Sequence, residues 1–179
     1  MGISSGLGGY TPPGLVLVKS QTIGSAVSSV TVTDVFSANW ETYRVVISNV
    51  TTSSSGSGTS IWFKMHDGTN PASTNYNYGF TRIDIAATTV AGVTASLGTN
   101  GILVGRGTGD KFGNSFDVVN PYISTHTIFP HVSAANVSTG YMYTGVGMHQ
   151  TTASYTSFQL IIDTGTMTGG TIRVYGYRN

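Results

Sequence analysis

Chemistry requires side chains that ionise, attack or ligate, and this chain offers few of them in useful patterns. Its four histidines, His66, His126, His131 and His149, stand apart from one another. The closest pair, His126 and His131, falls on one expected strand at an offset of five, which sends the two side chains to opposite faces. No metal-ligand spacing results, and the histidines read as surface or loop residues. The seven acids, Asp34, Glu41, Asp67, Asp84, Asp110, Asp117 and Asp163, include no pair whose separation is fixed, as glycoside hydrolysis demands. Ser and Thr abound without a Gly-x-Ser-x-Gly elbow to expose a nucleophile. With no cysteine in the chain there is neither a thiolate nor a disulfide framework.

Three short motifs resemble sites and have plainer readings. Gly105-Arg106-Gly107-Thr108-Gly109-Asp110-Lys111 has a phosphate-loop look, but it lacks the GxxxxGK[ST] spacing and a following helix to hold an anion. It reads as a flexible turn. Asp67 and Asn70 could offer oxygens to calcium, yet Asp67-Gly68 and Asn70-Pro71 are turn formers that account for the same residues. Asn49-Val50-Thr51 and Asn136-Val137-Ser138 match a glycosylation sequon and read as chance matches. The expectation is a protein that is not an enzyme and uses no cofactor or metal.

Aromatic residues are the more informative set. Tyr76, Tyr78 and Phe80 alternate on one face of an expected strand, as do Tyr141 with Tyr143 and Tyr175 with Tyr177. Together with Trp62 these tyrosines are candidates for a protein interface or a sugar-stacking platform, because amphipathic rings add contact area at small entropic cost. Packing between sheets or subunits is the competing account.

The elements that must position them are strands. β-branched and aromatic runs are expected at Leu15 to Thr22, Ser29 to Phe36, Thr42 to Val50, Ser60 to His66, Tyr76 to Ile85 and Gly101 to Val104. More follow at Ser115 to Val119, His126 to His131, Tyr141 to His149, Ser157 to Asp163 and Thr171 to Arg178. Ala86 to Leu97 mixes helix and strand formers, with the edge to extended structure. No capping box precedes an apolar stripe of helical period. About ten antiparallel strands at this length point to an all-β, jelly-roll-like sandwich over residues 15–179, one domain, rather than an immunoglobulin-type fold.

Composition narrows the function class. Only 8% of the 179 residues are charged, against roughly a quarter in an ordinary domain. Ser, Thr, Asn and Tyr must therefore keep the surface wet, as in extracellular and particle-bound β proteins. The net charge of +1 comes without a basic stripe, so nucleic acid is not an expected partner. No stretch approaches a membrane span. Residues 1–14 lack the charged and apolar regions of a secretory signal and read as an extended arm, with Ile3, Leu7, Tyr10, Pro12 and Pro13 available to anchor in a partner.

Two stretches carry a resemblance. Trp40-Glu41-Thr42-Tyr43-Arg44-Val45-Val46-Ile47-Ser48-Asn49-Val50, and Phe158 to Asp163 followed by Gly170-Thr171-Ile172-Arg173-Val174-Tyr175-Gly176-Tyr177-Arg178-Asn179, resemble the β-sandwich modules that end many virion proteins of tailed bacteriophages. That likeness implies a structural protein on the particle surface, either a capsid decoration or cement protein or a head fibre. It further implies a homotrimer whose arm clips to the major capsid protein or another virion protein. The alternative it implies is a tail-associated, receptor-binding fibre tip that recognises host-surface carbohydrate.

Overall fold

Alternation of apolar and polar residues converts most of this chain into strands. The computed structural model describes residues 14–53, 59–107, 109, 111–135 and 140–178. In chain order the strands are β1 (Leu15–Thr22), β2 (Ser29–Val32), β3 (Thr42–Thr52), β4 (Thr59–His66), β5 (Tyr76–Asp84), β6 (Thr89–Gly98) and β7 (Ile102–Gly107). They continue with β8 (Lys111–Val119), β9 (Thr127–Ala135), β10 (Tyr141–His149), β11 (Ser157–Ile162), β12 (Met167–Thr168) and β13 (Thr171–Tyr177). No helix occurs among the described residues, and of Ala86 to Leu97 the part from Thr89 onward is extended in β6, after a turn that includes Ala86 to Thr88. The arm residues Ile3, Leu7, Tyr10, Pro12 and Pro13 lie outside the described residues.

The strands form two antiparallel sheets. One runs β1-β13-β3-β8-β9-β10-β5-β6, with β12 also paired to β3, and the other runs β2-β11-β4-β7. Taken without β5, β6, β9, β10 and β12, the chain passes from β1 to β2 to β3 to β4 and then from β7 to β8 to β11 to β13. Apart from the step from β4 to β7, each of these steps changes sheet. That path gives four-stranded sheets β1-β13-β3-β8 and β2-β11-β4-β7, the double Greek key of a jelly roll. Hairpins β5-β6 and β9-β10 are additions that widen only the first sheet.

Between the sheets lies the apolar core. β3 turns Tyr43, Val45 and Ile47 inward while β4 turns in Ile61, Phe63 and Met65. Phe63 meets Phe116 and Phe129 edge-on at 5.4 Å and stacks on Phe158 at 4.7 Å. The buried Tyr43 hydroxyl accepts from Ser37 N–H at 2.7 Å and donates to Ser37 O at 2.9 Å, which ties down the β2–β3 connection.

Local backbone chemistry sets the strand ends. β2 stops at Val32, short of the expected Phe36, because Asp34 takes a left-handed φ of 54°. The chain then turns so that Val35 and Phe36 both enter the core. Asp67 Oδ1 accepts the N–H groups of Thr69 and Asn70, each at 2.7 Å, an Asx turn of the expected kind. Gly170 has φ 80°, and a Cβ there would sit 2.6 Å from Ser48 O, so glycine alone lets β13 leave β12 beside the bulge in β3.

Candidate functional site

Trp62 and Tyr78 come together at the margin of the smaller sheet, and Tyr141 of β10 stands further along β5, opposite Asp84. Along β4 the alternation that buries Ile61 and Phe63 turns Trp62 to the opposite side. Tyr78 belongs to the inward face of β5 with Tyr76 and Phe80. The two rings nevertheless lie 6.3 Å apart, which requires the β5–β6 hairpin to curl around β7, the last strand of the four-stranded sheet. Burial of successive residues Ile102, Leu103 and Val104 has the same cause, since β7 is covered on both faces. The wrap protects an edge strand that would otherwise pair with other chains.

This seam also gathers charge. Arg82 of β5 and Arg106 of β7 both approach the Tyr141 ring, at 5.2 and 5.8 Å from its centroid, within cation–π range. Tyr141 and Tyr143 stand 6.4 Å apart on β10. Tyr78 stacks on Phe80 at 4.9 Å and 9°, and burial pushes its phenol above the ordinary range. The indole N–H of Trp62 and the Nε–H groups of Arg82 and Arg106 are shielded from solvent and have no hydrogen-bond partner among the described residues. The arginines were not among the expected site residues. Their signal was the inward parity that Arg82 shares with Tyr76, Tyr78 and Phe80.

Other expected platform residues lie elsewhere. Tyr76 and Tyr143 are 0% and 3% exposed, so their rings are part of the core and have no face free for a sugar. The Tyr76 hydroxyl accepts from Met65 N–H at 2.8 Å and donates to Ala72 O at 3.3 Å, bracing the turn after β4. Tyr175 and Tyr177 project from the outward side of β13, opposite the buried Ile172 and Val174. There Arg44 grips Asp117 through two bonds of 2.8 and 3.0 Å, and Tyr177 donates to the same carboxylate at 2.9 Å.

The histidines depart from expectation. His126 is exposed, but His66, His131 and His149 are buried at 6%, 4% and 0%. At His131 and His149 the inward position disfavours the charged imidazole. Burial lowers the His131 pKa to about 4, with Nε2 3.1 Å from Asn114 Nδ2. His149 is also lowered by burial, and its Nε2 lies 3.1 Å from Thr74 O. The described residues hold no group of three potential metal ligands.

The stretch that reads as a flexible turn is strand at both ends, Gly105 to Gly107 in β7 and Lys111 in β8, and packing accounts for Gly105 and Gly107. A Cβ on Gly105 would fall 2.1 Å from the Phe112 ring, and one on Gly107 2.5 Å from Thr52. Here the glycines admit neighbours rather than a phosphate.

A second face lies on the outward side of β9, β10, β5 and β6. Ile83, Val90, Ile128, Val132, Met142 and Val146 are exposed there, half of all exposed large apolar side chains among the described residues. The outward phase of β5 reads Asn77, Gly79, Thr81, Ile83 and that of β6 Val90, Gly92, Thr94, Ser96. Neither carries a charge, nor do Met142, Thr144, Val146 and Met148 of β10. A shallow trough of about 510 Å³ crosses this face, bounded by Asn77, Gly79, Leu97, Val146, Met148 and Gln150. Comparisons of the chain with protein-family models, curated proteins and solved structures found no match.

Proposed function

We propose that this chain is a non-enzymatic structural protein on the particle of a tailed bacteriophage. It acts as a trimeric capsid decoration, cement or head-fibre module whose arm engages the major capsid protein or another virion protein. The observation that carries this reading is the uncharged apolar outward face of the β9-β10-β5-β6 extension. Contiguous apolar patches of this kind are rare on monomers and mark surfaces that another protein covers. The jelly roll adds support, being an architecture of viral capsid and lectin domains. The stretches resembling virion modules supply β3, β11 and β13, which are interior strands of the two sheets.

The mechanism is mechanical. Copies bury apolar faces at about 25 cal/mol per Å², and tethering several arms to one body multiplies individually weak shell contacts through effective concentration. Labelled protein should decorate the heads of particles in electron micrographs, and the full chain should sediment as a trimer. Placing lysines on the face with Val90→Lys and Val146→Lys should yield a folded monomer. A monomeric wild type would sink the assembly reading.

A tail-associated, carbohydrate-recognising fibre tip is the second reading, favoured by the part-exposed rings of Trp62, Tyr78 and Tyr141 in the seam. Label confined to tails would make it primary.

A further inference from the structure

We infer that the seam between β5 and β7 binds an acidic carbohydrate, whose rings pack on Trp62 and Tyr78 and whose carboxylate is held by Arg82 and Arg106. The inference rests on the carbohydrate-recognition reading above and adds the charge of the ligand.

Three observations carry it. First, the two guanidinium groups share one ring: their distances to the Tyr141 centroid cap the separation of the guanidinium carbons at 11.0 Å. Second, no acid among the described residues forms an ion pair with either arginine. The ion pair formed among the described residues is Arg44 with Asp117, on the outward face of the other half of the sheet. Asp84, two residues from Arg82 on β5, accepts instead from Ala87 N–H at 3.1 Å. Third, three donors of the seam, Trp62 Nε1–H, Arg82 Nε–H and Arg106 Nε–H, meet no acceptor among the described residues. Buried donors without acceptors are costly and rare in native proteins.

A ligand that answers this site supplies acceptors and negative charge beside an apolar ring face. Arginine favours carboxylates because its planar fork donates two parallel bonds, while Trp62 and Tyr78 offer flat apolar surface to a sugar ring. From Tyr78 to Arg82 is four residues of strand, roughly 13 Å, which suits a short oligosaccharide better than a single sugar. A neutral glycan would leave the two arginines without a counter-charge from the described residues.

Titration of the full chain with an oligogalacturonate and with its fully methyl-esterified, neutral counterpart tests this, read by calorimetry and tryptophan fluorescence. The acidic oligomer should bind at least about tenfold more tightly, with affinity falling as salt rises. Arg82→Gln and Arg106→Gln should each remove that preference while leaving the unfolding temperature close to wild type, and Arg82→Lys should restore part of it. Equal binding of both oligomers would overturn the acidic site and leave the carbohydrate reading standing. Failure of both to bind would overturn the two together. Inorganic phosphate binding as tightly as the oligogalacturonate would overturn the sugar's part in recognition.

Discussion

Phe63 of β4 stacks on Phe158 of β11 with ring centroids 4.7 Å apart and an interplanar angle of 24°. Both rings are 0% exposed. The pair binds neighbouring strands of the smaller sheet, while Phe63 also reaches Phe116 and Phe129 of the larger one. Phe63→Ala should therefore cost about 3–5 kcal/mol, the usual penalty for emptying a buried aromatic site. Denaturant unfolding measures it, and a loss under about 1 kcal/mol would show that the sandwich is not held at this point.

Acid should weaken the fold through His131. Its folded pKa of about 4 lies below the ordinary 6.5, so between those values the unfolded chain binds a proton that the native state does not. Stability is complete above pH 6.5 and falls as pH drops toward 4, by up to about 3 kcal/mol from this group. His149, lowered in the same direction, adds to the slope. The denaturation midpoint of His131→Gln should change less between pH 7 and 4.5 than that of wild type. An unchanged slope would assign the effect to other groups.

Gly105→Ala tests the steric account of the glycine-rich stretch. A methyl group 2.1 Å from the Phe112 ring forces that ring or the strand to move, and overpacking of this kind costs about 1–3 kcal/mol. Pairing it with Phe112→Leu should recover part of the loss. Phosphate should stabilise neither variant nor wild type through this loop, a point that thermal shifts would check.

Asp117→Asn removes one half of the bidentate pair with Arg44 and weakens the acceptor for Tyr177. The Arg44 side chain is 39% exposed, so solvent screening holds the effect to about 1 kcal/mol or less. The difference should shrink in high salt. Equal stability at low and high salt would mean that the carboxylate acts through packing rather than charge.

Strand positions were legible in the sequence because the signal is local. Side chains at i and i+2 share a face, so Ile61, Phe63 and Met65 announced one face, which proves inward, and Trp62, Lys64 and His66 the opposite one, of which His66 is buried instead. The same parity grouped Tyr76, Tyr78 and Phe80 correctly. It could not tell which of them a second layer would seal. Tyr76 is fully buried because β4 and its turn close over it, while Tyr78 stays part-exposed two residues away. The histidines were misread for a related reason: a lone polar residue within a strand looks like surface until the opposing sheet and a partner such as Asn114 are known.

The sequence by itself determined an all-β chain, the places of most of its strands and the turn at Asp67, since each depends on residues within a few positions of one another. Only the tertiary structure decided which strands pair and what meets across the seam. β1 finds β13 from the opposite end of the chain, and the curl of β5 around β7 brings Arg82 and Arg106 to one ring. Antiparallel pairing is chosen by the burial that the whole sandwich achieves, and a pattern of period two carries no record of its partner.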